Sequence, residues 1–169
     1  MHLQLPDLLA ANAAYRSSGG DPDAPRPAPP SRHLVLLTCM DARLDLPNAL
    51  GIELGTTHVL RNGGGRVTDD VLRSLVLSTH VLGTREVGVI HHTRCGLEGA
   101  DDDELQAQLG VPSMAFLGFD DVVASVGEDV DGVVACDALP AGVVVWGAVY
   151  DVERGSVEVV VEPRPAGGS

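Results

Sequence analysis

The sequence predicts an α/β fold: a mostly parallel four-stranded β-sheet with an antiparallel edge strand, flanked by helices. Three observations lead there. Apolar runs of strand length recur at 34–37, 87–90 and 143–150, separated by stretches of helical apolar spacing, and strands alternating with helices make parallel sheets. Aromatic residues are only 3% of the chain against 44% hydrophobic overall, so Val, Leu and Ala must build the interior. Soft, metal-ligating side chains follow two of the runs, and open α/β sheets carry their sites at the carboxyl ends of strands.

Taken in order, residues 2–17 place Leu3, Leu5, Leu8, Leu9, Ala13 and Ala14 close to a helical stripe. So short a helix is marginal alone and must dock, on its own domain or on a partner subunit. Residues 18–31 hold five prolines, which exclude helix and central strand and predict an extended surface arm. The first strand covers 33–38. A short helix at 46–50 follows, with Asp45 placed to cap it ahead of Pro47. Strand 57–60 runs into Arg61-Asn62-Gly63-Gly64-Gly65. Helix 68–82 comes next, capped by Thr68 or Asp69, with Asp69 and Asp70 suiting its dipole. A third strand at 87–91, helices at 101–109 and 119–137, and a fourth strand at 143–150 complete the parallel part. Residues 151–156 turn the chain back into an antiparallel edge at 157–161. The organisation is an N-terminal helix and arm at 1–31, one α/β domain at 32–162, and a disordered tail at 163–169.

Eleven Lys and Arg against 24 Asp and Glu give a formal net charge of −13. That field repels phosphate backbones and anionic membranes, so neither nucleic acid nor membrane is an expected partner. A small neutral substrate needs no steering. Three cysteines make no disulfide framework, and no signal peptide or long apolar span opens the chain, which predicts a cytoplasmic protein.

Chemistry concentrates in two clusters. Thr38-Cys39-Met40-Asp41-Ala42-Arg43 ends the first strand; on an extended backbone, side chains two apart share a side, bringing Cys39, Asp41 and Arg43 together. His91-His92-Thr93-Arg94-Cys95 ends the third. Two thiolates and an imidazole, from Cys39, Cys95 and His92, form a donor set zinc prefers, and three protein ligands leave a fourth position open. An open position binds water and lowers its pKa, generating a hydroxide nucleophile near neutral pH. Asp41 is either a fourth ligand that closes the site, a carboxylate held away by a bidentate pair with Arg43, or a strand-end salt bridge without chemistry. Held away, it accepts the proton of the bound water.

The remaining candidates divide similarly. His91 faces the opposite side of its strand, as a packed core histidine. Gly63, Gly64 and Gly65 either present N–H groups to an anion at the start of helix 68–82 or make a tight turn for close packing. Arg94 places a cation beside the metal-like cluster, for an anion or for a salt bridge with one of the many acids. His33, His58 and His80 are equivalent proton-shuttle candidates, and Cys136 reads as a small buried hydrophobe.

Together, Cys39-Met40-Asp41-Ala42-Arg43, Arg61-Asn62-Gly63-Gly64-Gly65, Val67-Thr68-Asp69-Asp70 with Arg73-Ser74-Leu75, and His91-His92-Thr93-Arg94-Cys95-Gly96 resemble the β-class carbonic anhydrases over residues 33–161. The resemblance implies Zn2+ on Cys39, His92 and Cys95, a catalytic dyad of Asp41 and Arg43, and a closed state with Asp41 on the metal. It also implies an obligate homodimer embraced by the N-terminal helix. The stretch 30–33 lacks the Gln that binds bicarbonate in plant-like members. The expected activity is reversible hydration of carbon dioxide to bicarbonate and a proton. Hydrolysis of carbonyl sulfide or carbon disulfide on the same site, and a non-catalytic zinc-binding dimer, are the alternatives.

Overall fold

The apolar runs pair as strands because each is buried on both faces. The computed structural model describes residues 4–167. Helix α1 (Leu5–Ser17), strand β1 (Leu34–Cys39), helix α2 (Leu46–Leu50), strand β2 (Thr57–Asn62), helix α3 (Asp69–His80) and strand β3 (Glu86–His92) come first. Helices α4 (Asp102–Leu109) and α5 (Val122–Val134) and strands β4 (Val144–Tyr150) and β5 (Val157–Pro165) complete the chain. The five strands lie in the order β2-β1-β3-β4-β5. Four are mutually parallel and β5 is antiparallel to β4, as the reading of a parallel core plus an edge strand requires.

Alternation along the strands sorts the core into two layers. Val35, Leu37, Val87, Val89 and Val145 meet Val71 and Leu75 of α3 and Val126, Val130 and Val133 of α5. On the other face Leu36, Ile90 and Ala148 pack with Leu44, Leu46 and Phe119. Burying each such Val or Leu contributes about 1.5–3 kcal/mol, which sets the strand register. That register pairs Cys39 with Asn62 on one side and Thr38 with Ile90 on the other. The chain leaves β1 toward β2 on one flank and returns to β3 on the other, so a crevice opens at the carboxyl ends of β1 and β3.

Several boundaries differ from the expectation. α5 begins at Val122, where the Asp121 carboxylate accepts the Ala124 N–H at 2.8 Å, and ends at Val134 rather than spanning 119–137. Thr68 is the cap of α3, accepting the Val71 N–H at 3.4 Å. Asp45 stands at the N-cap of α2, but its carboxylate takes the Asn48 amide at 2.7 Å instead of a backbone N–H.

The tail is a correction. β5 runs on to Pro165 and pairs Arg164 with Val145 and Pro165 with Val144, and Ala166 is buried. Ladder bonds to β4 hold a segment that its prolines and small residues suggested was loose; Gly168 and Ser169 lie outside the described residues. At the other end Leu3 also lies outside them, and α1 buries none of its side chains: Leu5, Leu8 and Leu9 are 61%, 65% and 60% exposed. α1 packs none of these leucines against its own domain. The arm does follow the surface, with the Ser31 and Arg32 N–H groups donating to the Gly55 and Thr56 carbonyls. Among the described residues no helix is long and apolar enough to cross a membrane.

Candidate metal centre

β1 ends on Cys39, β3 ends on His92, and the turn after β3 swings Cys95 back between them. All three are buried, and their ligand atoms lie within 4.8 Å of one another. Zinc bonds of about 2.3 Å to sulfur and 2.0 Å to nitrogen separate tetrahedral ligands by about 3.5–3.8 Å, so small side-chain rotations bring the trio onto one ion. His92 supplies the test of fit. Its Nδ1 lies 3.0 Å from the Thr93 carbonyl, which can only accept, so Nδ1 carries the hydrogen and Nε2 offers a lone pair. That Nε2 is buried with no hydrogen-bond partner, a circumstance costing about 1–3 kcal/mol unless a cation takes the lone pair. The donors fit zinc.

Electrostatics prepare the same trio. The Cys95 S–H lowers the Cys39 thiol pKa most, against burial; His92 and the N–H groups of Asp41 and Gly64 lower it further. Cys95 is pushed up by its role as donor to Cys39 and by burial. The contacts around Cys39 thus favour its thiolate form. Burial opposes charge on His92, but the neighbouring Cys39 sulfur and the Thr93 carbonyl outweigh it and raise its pKa.

Asp41 and Arg43 do meet, though not on an extended strand. The backbone turns after Asp41, and the Arg43 N–H donates to Asp41 Oδ1 at 2.9 Å, an aspartate turn of the kind that competes with strand structure. The guanidinium then grips the carboxylate, Nε to Oδ1 at 3.0 Å and Nη2 to Oδ2 at 2.6 Å. Arg43 Nη2 also donates to the Arg94 carbonyl at 2.9 Å. These bonds from the Arg43 side chain, and then its N–H, hold the Asp41 carboxyl well below the usual carboxylate range. Its Oδ2 stands 3.9 Å from His92 Nε2, beside the trio but paired to Arg43.

The other candidates separate by geometry. Gly64 directs its N–H at the Cys39 sulfur. Gly65 has φ +73°, and a Cβ there would come within 2.8 Å of the Cys39 nitrogen, so the close-packing reading belongs to Gly65. Gly63 lines the open cavity with nothing within 4 Å of a Cβ. Arg94 adopts a left-handed φ of 56° that aims its carbonyl at Arg43, while its side chain pairs with Glu153 at 2.9 Å. His33, His58 and His80 bond to Gly83, Ser78 and Ala138 and none lines the cavity. Cys136 is only half-buried.

Sequence reasoning passed over three contributors. Arg61 donates to the carbonyls of Cys39 at 2.9 Å and Asp41 at 2.6 Å, fixing the loop that carries the dyad. Behind the centre, Asp129 lies 2.8 Å from Arg66 Nε and 3.0 Å from His91 Nε2. The signal for Asp129 was available: a carboxylate on the apolar face of α5 beside Val126, Val130 and Val133 implies a buried partner.

The α/β sheet brings two buried cysteines and a histidine that could hold a metal ion to a switch point, with an arginine-held aspartate beside them. Residues 34–112 match the carbonic anhydrase family. "Beta-carbonic anhydrase 1" of Mycobacterium tuberculosis is 38% identical over 159 residues, covering 91% of this chain and 96% of that protein. The crystal structure of carbonic anhydrase from Streptococcus mutans superposes with a TM-score of 0.85 at 40% identity, over 95% of this chain and 99% of that one. A carbon disulfide hydrolase of Saccharolobus solfataricus is 48% identical over 77 residues, 46% of this chain and 38% of that protein. The chain belongs to the β-carbonic anhydrase family of enzymes.

Proposed function

We propose that this protein catalyses the zinc-dependent, reversible hydration of carbon dioxide to bicarbonate and a proton. The observation that carries the reading is the buried convergence of Cys39, His92 and Cys95 beside an aspartate that Arg43 keeps from joining them. Cys39, His92 and Cys95 would hold the zinc, which would supply the Lewis acidity that makes a water competent as a nucleophile near neutral pH. Asp41 accepts a hydrogen bond from that water and orients it toward the substrate carbon. Its strongly acidic carboxyl makes it an orienting acceptor rather than a proton store, so the proton passes on to solvent. Arg43 fixes the carboxylate in that role, and the Arg94 carbonyl fixes Arg43.

Bound zinc measured together with stopped-flow hydration at several pH values tests this. One zinc per chain and hydration that Asp41→Asn suppresses without metal loss are expected. Full stoichiometric zinc in Cys95→Ala protein would sink the ligand assignment. The 48% identity to a carbon disulfide hydrolase over 77 residues favours one further reading, hydrolysis of carbon disulfide or carbonyl sulfide, whose cumulated double bonds invite the same attack. Parallel assays of bicarbonate and released sulfide decide between them.

The protein is further proposed to act as a cytoplasmic homodimer, with α1 packed on the partner subunit. Three exposed leucines on a helix that buries nothing of itself support that placement. Light scattering on the purified chain checks it; a monomer at micromolar concentration would refute it.

A further inference from the structure

The turn that meets Cys39 consists of three glycines, Gly63, Gly64 and Gly65. Such a run has no side chains to order it and the widest backbone freedom of any sequence, yet the Gly64 N–H is directed at the Cys39 sulfur. Its order comes from outside. The Asn62 amide donates to the Arg66 carbonyl at 2.8 Å and closes the turn. Asp129, reaching from α5 with its side chain only 7% exposed, accepts the Val67 N–H on Oδ1 at 3.0 Å and places Oδ2 2.8 Å from Arg66 Nε. The same Oδ2 lies 3.0 Å from His91 Nε2, and that nitrogen is 3.2 Å from the Gly65 carbonyl. Carboxylate and carbonyl can only accept, so Nε2 carries the hydrogen and His91 holds residue 65. Ser125 Oγ, also on α5, steadies the far nitrogen of that ring at 2.8 Å. Residues 65, 66 and 67 are thus each tied to one buried carboxylate, directly or through His91. An aliphatic side chain would fill this face of α5 at less cost, as Val126, Val130 and Val133 do beside it.

We propose that Asp129 is a positioning residue of the metal centre: through His91, Arg66 and Val67 it fixes the turn 63–65, keeps the Gly64 N–H on the Cys39 sulfur, and so sets how much charge that sulfur gives to a bound cation. The proposal rests on the zinc reading above and adds a residue from the opposite layer of the core that tunes one ligand. An N–H aimed at a thiolate withdraws charge from it, and groups behind a ligand govern both the affinity of a site and the acidity of what its metal binds. Without the hold, the glycines are free to turn the N–H away, which leaves the sulfur a stronger donor. Asp129 does not line the cavity, so it acts through the turn and not on substrate.

The test uses the full chain and two readouts. With Co2+ in place of zinc, the sulfur-to-cobalt charge-transfer band reports how strongly the thiolates donate; amide hydrogen exchange at Gly64, in metal-free and zinc-loaded protein, reports the turn. In Asp129→Asn an amide faces Arg66 and His91 where a carboxylate stood. Gly64 exchange should quicken about tenfold and the band should move to longer wavelength. Zinc affinity, measured against a chelator, should weaken about tenfold while the protein still saturates at one zinc per chain. Ser125→Ala loosens only the far side of His91; it should move all three readouts in the same direction by less, and it decides the matter if Asp129→Asn does not fold. Val133→Ala trims the buried core of the same helix and should lower Tm without moving the band or Gly64 exchange, a separation that a merely structural Asp129 would not produce. Wild-type exchange and band in both Asp129→Asn and Ser125→Ala, or equal changes in Val133→Ala, overturn the positioning role. A wild-type chain that binds cobalt without a charge-transfer band overturns the ligand reading and the tuning that rests on it; Gly64 exchange alone then judges the hold on the turn.

Discussion

His91 and His92 are consecutive residues of one strand in opposite chemical circumstances. The pleat sends His91 toward α5, where Nδ1 meets Ser125 Oγ at 2.8 Å and Nε2 meets both Asp129 and the Gly65 carbonyl. Both of its nitrogens are occupied. His92 faces the other layer with one nitrogen bonded and Nε2 buried without a partner. The unpartnered nitrogen beside two cysteines supports the proposal of His92 as a ligand, and the bonded histidine reads as its support. The support also reaches the site: His91 holds the Gly65 carbonyl, and the same turn aims the Gly64 N–H at the Cys39 sulfur.

Substitutions on the two sides should break in different ways. On the ligand side, Cys95→Ala or His92→Ala should lower bound zinc below about a tenth of an equivalent and hydration by at least about 10³-fold, measured by metal analysis and stopped flow. Asp41→Asn should leave zinc in place and cut hydration about 10²-fold, because the acceptor that orients water is weakened. On the support side, His91→Ala takes one partner from the buried Asp129, which keeps Arg66 and the Val67 N–H, and empties the space beside Ser125. Denaturant unfolding should register a loss of about 2 kcal/mol in protein that still takes up one zinc. Equal zinc loss in His91→Ala and His92→Ala would erase the distinction between the two histidines.

Smaller effects sharpen the contrast between a built site and ordinary surface. The Gly118 N–H, then those of Leu117 and Phe116, hold the Asp102 carboxyl below the usual carboxylate range. A folded-state pKa below the unfolded one gives stabilisation that is complete above the unfolded value and lost as pH falls through the folded value. The Tm gap between wild type and Asp102→Asn should therefore be full at neutral pH and close in acid; a gap that widens on acidification would contradict the clamp. Glu153→Gln removes only the exposed ion pair to Arg94. It should change stability by no more than about 0.5 kcal/mol and hydration by less than twofold, since Arg94 serves the centre through its carbonyl.

The residue pattern by itself determined the sheet and the trio. Apolar runs of strand length with helices between them admit few arrangements, and Cys39, His92 and Cys95 could be named because each stands where such a run stops. These are local properties, readable over a few residues. Tertiary structure alone decided the rest: that Asp41 is clasped by Arg43 through a turn rather than an extended strand, that Arg94 contributes a carbonyl and not its charge, and that Asp102 holds Phe116, Leu117 and Gly118 over the cavity. Those outcomes depend on which distant segments the packed core brings into hydrogen-bond range, and polar pairing of that kind leaves no period in the sequence for a reader to find.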